Sequence, residues 1–150
     1  MPHHLWRYNF RKSADGSATP TIESETASVA TVHGMNAQGA VVGKFAMRTA
    51  IEKARKEGVG WVVAHHSNHY GIAGFYAMMA AEEGMMGFSY CNTSPLVVPT
   101  RASKPAIGTN PIACAGPVAG GPPVVLDMAT PCVALGKVEV ETLPLLTLHC

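Results

Sequence analysis

The chain has 150 residues, of which 47% are hydrophobic and 14% are charged, and its formal net charge is +1. This composition is typical of one globular domain with a real core, and it excludes a disordered chain. The near-neutral charge gives no electrostatic reason to expect nucleic acid or an anionic membrane as a partner. No apolar run is long enough to predict a membrane-spanning helix.

The first third of the chain is predicted to contain a linker, a strand and a long helix. Residues 13–20 are small, polar or proline, which is typical of a linker. Residues 27–32 alternate small or polar with apolar side chains and predict a short strand. From Ala40 to Glu57 apolar residues recur at spacings of three and four, which predicts an amphipathic helix ending before Gly58.

Further along, short apolar runs alternate with a second helix. Residues 59–64 are apolar on both faces and predict a central strand that is covered on both sides. A helix rich in alanine and methionine is predicted over residues 72–83, and strands are predicted over 86–91, 111–115 and 122–128. The order strand, helix, strand, helix, strand favours parallel pairing with right-handed crossovers. The expected class is therefore α/β, with covering helices.

Polar side chains follow three of these predicted strands, at residues 67–69, 92–94 and 127–130. Because the carboxyl ends of parallel strands share an edge, the three groups could line one crevice. Short hydroxyl, amide and carboxylate groups suit a polar ligand such as a ribose or a diphosphate. The chain contains no G-x-G-x-x-G, so an ordinary Rossmann dinucleotide site is unsupported.

Three histidines, His65, His66 and His69, lie around the end of the strand over 59–64, and their role stays open at this point. A metal face is one alternative, but no carboxylate or thiol lies nearby in the sequence, and no metal site is expected. A Ser67–His69 nucleophile pair lacks the surrounding G-x-S-x-G. A histidine that donates a proton or a hydrogen bond to substrate suits imidazole chemistry near neutral pH. The remaining alternative is that the rings only satisfy backbone groups of the loop.

The cysteines and the N-terminal residues bear on the cellular compartment. No two of Cys91, Cys114, Cys132 and Cys150 are spaced as C-x-x-C, which predicts buried reduced thiols and not a metal site. Residues 1–12 are basic and histidine-rich, without the apolar stretch of a secretory signal. A cytoplasmic location is therefore expected.

Five short segments follow one another along the chain in a characteristic order. They are SNHYGIAG over 67–74, NTSP over 92–95, GTNPI over 108–112, LDMAT over 126–130 and ALGKV over 134–138. Together they resemble the malate/L-lactate dehydrogenase family, the non-Rossmann type of 2-hydroxyacid dehydrogenase. The resemblance covers roughly residues 20–139. It implies the family's mixed α/β fold, a homodimer, and hydride transfer between NAD or NADP and a small 2-hydroxy or 2-oxo acid of malate or lactate type.

The resemblance also implies roles for individual residues. His69 is the catalytic residue that it places at the substrate and the nicotinamide. The residues that it places at the cofactor are Asn92, Thr93, Asp127, Met128 and Ala129.

Both ends of the chain depart from the family pattern. The family's N-terminal serine-histidine-glycine segment, which supplies a proposed proton donor and a group for the substrate carboxylate, has no counterpart in residues 1–18. We therefore expect a non-matching tail over 1–19, the central part of the dehydrogenase-like domain over 20–139 and a second tail over 140–150. A fold incomplete at both ends leaves an alternative function, an inactive form that acts as a binding or dimerising module.

Overall fold

The computed structural model describes residues 14–131, which form two three-stranded sheets and two helices. The predicted tails and the ALGKV segment over 134–138 lie wholly or partly outside the described residues, as do Cys132 and Cys150. In chain order the elements are β1 (Thr21–Glu25), β2 (Val29–His33), α1 (Gly39–Glu57), β3 (Trp61–His65), α2 (Ala73–Glu82), β4 (Gly87–Tyr90), β5 (Ile112–Val118) and β6 (Gly121–Met128).

The first sheet has the strand order β1-β2-β3 and confirms part of the predicted topology. β2 and β3 pair in parallel, with α1 as the crossover between them. α1 begins one residue before the predicted start, and Gly58 ends it with φ 81°, a left-handed conformation that glycine adopts without strain. β1 pairs antiparallel with β2 and was not predicted, because all five of its residues are exposed and show no apolar alternation.

The second sheet has the order β4-β5-β6, and all its pairs are antiparallel. The prediction of parallel pairing is therefore wrong for these strands. Ala119 and Gly120 alone join β5 to β6, and a connection this short can only join antiparallel neighbours. The connection between β4 and β5 is longer but contains no helix, so it does not form a parallel crossover unit.

The prediction that β3 is a central, doubly covered strand is also wrong for the described residues. There β3 lies at the edge of the first sheet, because β4 pairs with β5 and not with β3. Trp61 and Val63 are accordingly 50% and 52% exposed. The Trp61 ring lies 5.9 Å from that of Tyr90, so the two sheets still approach each other at this point.

Two small apolar cores hold the helices on the sheets. Val42 of α1 is buried in one core with Val32 of β2 and Ala37. Five alanines are buried between α2 and β5, and they are Ala73, Ala77, Ala81, Ala113 and Ala115. Small side chains on both surfaces allow α2 to lie close to the second sheet. Within residues 14–131, no helix combines the length and the apolarity that crossing a membrane requires.

The face of the second sheet opposite α2 is apolar and exposed. Two of its cross-strand rows are set by the pairing of Phe88 with Cys114 and Leu126, and of Tyr90 with Ile112 and Met128. The five exposed members are each between 41% and 52% exposed, and they are Phe88, Tyr90, Ile112, Leu126 and Met128. We call these five residues the apolar sheet face. Contiguous apolar patches are uncommon on the exposed surfaces of monomeric soluble proteins.

Candidate active site

The segment that leaves β3 is fixed by the backbone that connects β2 to α1. The Asn68 side-chain amide donates hydrogen bonds to the carbonyls of Asn36 at 3.1 Å and Ala37 at 2.9 Å. Gly39, the first residue of α1, lies so close that a Cβ there would sit 2.1 Å from the Asn68 carbonyl oxygen and 2.3 Å from that of His69. The position of His69 therefore depends on close packing against α1.

His69 is exposed, and one of its ring nitrogens is engaged by the backbone. The Gly71 N–H donates to His69 Nδ1 at 3.0 Å. A nitrogen that accepts a hydrogen bond carries its lone pair there, so the hydrogen of the neutral ring is on Nε2. This tautomer presents His69 as a hydrogen-bond donor through Nε2, which is the polarity needed to bind a carbonyl or hydroxyl oxygen.

Asp127 joins the end of β6 to the start of α2. Its Oδ2 accepts a 2.7 Å hydrogen bond from the backbone N–H of Gly74, across 53 residues of sequence. The positive end of a helix dipole favours a carboxylate at this position. A Cβ on Gly74 would lie 2.7 Å from the same oxygen, so glycine is needed for this approach. We call residues 67–74, which contain His69 and end at Gly74, the His69 segment. The hydrogen bond therefore attaches Asp127 to the last residue of this segment.

The polar residues after β4 and β6 meet at one edge of the second sheet. Both strands run antiparallel to β5 and therefore parallel to each other, so their carboxyl ends lie on the same side. Thr93 N–H donates to Asn110 Oδ1 at 2.9 Å, and its hydroxyl lies 3.2 Å from that of Thr109. Thr130 N–H donates to the Thr109 carbonyl at 3.0 Å. The shared edge that the sequence predicted is present for these two segments, although the expected parallel neighbours are not.

Thr109 and Asn110 are the residues whose role the sequence analysis missed. They belong to the GTNPI segment, which carried part of the resemblance without a stated function. The structure shows them bridging the NTSP and LDMAT segments, since Thr109 contacts both Thr93 and Thr130. A Cβ on Gly108 would lie 2.0 Å from Thr93 Oγ1, so this bridge is tightly packed.

The predicted cofactor residues lie along this edge with mixed exposure. Asn92, Asp127 and Met128 are exposed, whereas Thr93 and Ala129 are half-buried. The amide of Asn92 and the hydroxyl of Thr93 can hydrogen-bond to a ribose, and the side chain of Met128 can contact a ring. This combination of groups fits a nucleotide cofactor. The structure thus brings these five residues to one edge, and Asp127 connects that edge to the His69 segment.

Tyr70, next to His69, has a structural role and is not placed to act as a base. Its hydroxyl lies 3.2 Å from Ser89 Oγ on β4, and its ring stacks on Tyr76 at 4.7 Å between centroids. Burial raises the pKa of Tyr70 to about 12, and it raises the pKa of Tyr76 in the same direction. Both phenols are therefore neutral at physiological pH. Tyr70 connects residues 67–74 to β4 through Ser89, and the Tyr76 hydroxyl donates to the Tyr70 carbonyl.

The Tyr70→Phe variant tests this assignment by alkaline titration. The tyrosinate absorbance lost in the variant should have a midpoint near 12 in the folded chain and about 10 in denaturant. Because the folded pKa is raised, the contribution to folding stability is present below about pH 10 and is lost as the pH rises toward 12. A midpoint for Tyr70 near 10 in the folded chain would contradict its burial.

Comparison with known proteins identifies the family. A family model described as malate/L-lactate dehydrogenase matches residues 6–143. The chain belongs to the malate/L-lactate dehydrogenase family. This membership confirms the resemblance seen in the sequence and the expected fold class, a mixed α/β fold of the non-Rossmann type.

Individual family members show the same likeness. The chain is 56% identical to a malate dehydrogenase of Pyrococcus abyssi over 119 residues, which are 79% of this chain and 33% of that protein. It is 48% identical to an L-sulfolactate dehydrogenase of Methanothermobacter thermautotrophicus over 124 residues, 83% of this chain and 36% of that protein. The structure of malate dehydrogenase from Pyrococcus horikoshii OT3 matches with a TM-score of 0.83 and 45% identity, covering 91% of this chain and 40% of that one. The chain thus spans about a third of the length of these curated relatives.

Proposed function

We propose that this chain carries part of the site of a nicotinamide-dependent 2-hydroxyacid dehydrogenase. The observation that carries the proposal is the Gly74–Asp127 hydrogen bond of 2.7 Å, which joins the His69 segment to the edge formed by the ends of β4 and β6. Family membership gives this arrangement its chemistry, and relatives are named for malate and L-sulfolactate. The proposed substrates are a small 2-hydroxy acid and the corresponding 2-oxo acid.

The reaction requires a hydride to move between C2 of the acid and C4 of the nicotinamide, which is the chemistry that NAD or NADP supplies when bound. His69 Nε2–H would donate a hydrogen bond to the oxygen on C2. In the direction of reduction this bond polarises the carbonyl while the hydride adds to C2, and the resulting alkoxide oxygen takes a proton from solvent. In the direction of oxidation the hydroxyl proton leaves to solvent as the hydride departs from C2. A hydrogen bond that strengthens as charge develops on oxygen lowers the barrier.

The cofactor would be held at the edge of the second sheet. Asn92 and Thr93 offer an amide and a hydroxyl to the ribose or phosphates, while Met128 and Ala129 offer an apolar surface. Asp127 accepts a hydrogen bond at the N-terminus of α2 and would act mainly by fixing the position of α2 relative to the sheet edge. We further propose a homodimer, supported by the part of the apolar sheet face that Phe88, Ile112 and Leu126 form. We also propose a cytoplasmic location, supported by the free thiols of Cys91 and Cys114.

Melting curves with NADH and with NADPH test the proposal. A cofactor at 100 times its Kd stabilises the native state by about 2.7 kcal/mol, which for a chain of this size raises Tm by roughly 5–10 °C. The exposed Asn92 can be replaced by alanine without disturbing the core, and Asn92→Ala should weaken the cofactor's affinity about 3–10-fold by removing one hydrogen bond. A folded chain whose Tm is unchanged by either cofactor would contradict the proposal.

A second candidate function, a binding or dimerising module without catalysis, is favoured by the apolar sheet face. Phe88 and Leu126 are paired through Cys114, and both are about half exposed. In this case light scattering should give twice the chain mass, a Phe88→Ser, Leu126→Ser double variant should be monomeric, and neither cofactor should change the melting curve. Stabilisation by a cofactor would distinguish the dehydrogenase proposal from this one.

A further inference from the structure

A second group of histidines lies away from the edge where the cofactor is proposed to bind. His33 and His65 are direct partners in the parallel pairing of β2 with β3, and His66 follows His65. One ring nitrogen from each lies within 4.8 Å of the others. His33 stacks on His66 with centroids 4.5 Å apart, while His33 and His65 are half-buried and His66 is exposed. We call these three residues the histidine cluster.

Glu23 on β1 sets the orientation of the ring of His65. Its Oε2 lies 2.7 Å from His65 Nε2, so the hydrogen of the neutral ring is on Nε2 and the lone pair is on Nδ1. His65 Nδ1 faces into the cluster and, in the metal-free chain, accepts a 2.6 Å hydrogen bond from His66 Nδ1–H. In metal sites a carboxylate commonly binds the outer nitrogen of a liganding histidine in this way, fixing the tautomer and raising the basicity of the other nitrogen.

The distances are close to those that a shared metal ion needs. Zn²⁺ binds imidazole nitrogen at about 2.0–2.1 Å, so two nitrogens in a tetrahedral shell are about 3.3 Å apart. The Nδ1 atoms of His65 and His66 would have to separate by about 0.7 Å from their present 2.6 Å. The hydrogen on His66 Nδ1 would move to Nε2 by tautomer exchange, which an exposed ring can undergo through solvent. His33 needs a larger change, because its Nδ1 accepts a 3.0 Å hydrogen bond from the Met35 N–H. His33 should therefore be the weakest of the three ligands.

The backbone around the cluster is held in an uncommon conformation. Met35, Asn36 and His66 have φ values of 52°, 59° and 50°, in the left-handed region that residues other than glycine seldom adopt. Two backbone hydrogen bonds, Gly34 N–H to the His65 carbonyl and Asn36 N–H to the His66 carbonyl, hold these turns together. Such conformations persist where the surroundings enforce them, and they are concentrated at ligand sites.

We propose that His33, His65 and His66 bind one divalent ion of the type that prefers imidazole, with Zn²⁺ as the representative ion and Glu23 as the carboxylate that orients His65. Three neutral imidazoles without a thiolate suit zinc, nickel or copper better than calcium or magnesium. The ion would connect the ends of β2 and β3 and, through Glu23, reach β1. Its ligand His66 comes three residues before His69 in the sequence. The ion would therefore hold the start of the His69 segment, and it would take no part in hydride transfer. No metal was predicted at these histidines because no carboxylate or thiol lies near them in the sequence, whereas Glu23 and His33 meet His65 only through the pairing of β1, β2 and β3.

Titration of the metal-free chain with Zn²⁺ by calorimetry tests this proposal. We expect one tightly bound ion, at least a 10-fold loss of affinity in His65→Ala and in His66→Ala, and a smaller loss in His33→Ala. Glu23→Gln should weaken binding about 10–100-fold, as removal of an orienting carboxylate does elsewhere. His69→Ala is the matched control and should leave the affinity unchanged. Zinc binding that survives the His65→Ala, His66→Ala double variant, or no binding by the unmodified chain, overturns the proposal.

A second measurement on the unmodified chain keeps the test valid if a variant fails to fold. In the chain labelled with ¹⁵N-histidine, Zn²⁺ should shift the Nδ1 resonance of His65 while Nε2 keeps its proton to Glu23. Resonances of the histidine cluster that do not change at saturating Zn²⁺ would place the ion elsewhere and overturn the proposal. Neither measurement depends on dehydrogenase activity, so failure here leaves the proposed function standing.

Discussion

Replacing His69 with alanine is expected to lower kcat/KM for reduction of a 2-oxo acid by about 10²–10³-fold. The variant loses the Nε2–H donor that the Gly71–His69 hydrogen bond of 3.0 Å orients, and removing one positioned donor to a developing negative charge costs about that factor. The measurement is steady-state oxidation of NADH with pyruvate or oxaloacetate. Because the interaction strengthens in the transition state, the loss should be in kcat more than in KM.

Two further variants separate the roles open to this segment. His69→Gln keeps a hydrogen-bond donor and should retain more activity than His69→Ala, whereas a role in proton transfer would leave both equally inactive. Ser67→Ala is the control, because the Ser67 hydroxyl makes only a 3.4 Å contact with the Asn68 carbonyl and is exposed. Its kcat/KM should stay within about twofold. A large loss in Ser67→Ala would revive the nucleophile hypothesis and contradict the assignment to His69.

Replacing Gly39 with alanine is expected to destabilise the chain and displace His69. The added Cβ would lie 2.1 Å from the Asn68 carbonyl oxygen and 2.3 Å from that of His69, and both are backbone atoms that cannot rotate away. Overpacking of this kind costs about 1–3 kcal/mol, while the gain in helix propensity is at most about 1 kcal/mol. We expect a net loss of about 1–2 kcal/mol and a Tm lower by roughly 2–8 °C. Thermal unfolding followed by circular dichroism measures it.

Gly116→Ala is the matched control for Gly39→Ala. Gly116 lies in β5, and a Cβ there would have no heavy atom within 4 Å outside its chain neighbours. Removing a glycine from such a position reduces the entropy of the unfolded chain, so Tm should be unchanged or slightly higher. If Gly39→Ala were as stable as Gly116→Ala, the close packing of α1 against the His69 segment would be contradicted.

Local patterns were sufficient to predict most elements but not how they pair. α1 was predicted to within one residue because its apolar and charged stripes repeat at helical spacing, and Gly58 marks its end. β1 was missed because its five residues are polar or exposed, and its strand conformation comes from pairing with β2. The division into two sheets depends on β4 pairing with β5 across a long connection, a non-local choice that periodicity does not encode.

The candidate site was predictable only where the resemblance supplied residues. His69 and the NTSP and LDMAT segments were named from motifs, and their roles stay predictions. The bond from Gly74 to Asp127 joins residues 53 positions apart, and no local pattern indicates it. The histidine cluster could not be predicted from local patterns either, because His33 and His65 are brought together only by the pairing of β2 with β3.

NADH carrying deuterium at both C4 positions tests directly whether the part of the site in this chain supports the proposed hydride transfer to C2 of a small acid. The chain is incubated with the labelled cofactor and a 2-oxo acid, and the product is analysed by mass spectrometry. We expect a 2-hydroxy acid with one deuterium on C2, formed much more slowly by His69→Ala. A folded chain that binds the cofactor but forms no deuterated 2-hydroxy acid from pyruvate, oxaloacetate or a sulfonated 2-oxo acid would contradict it.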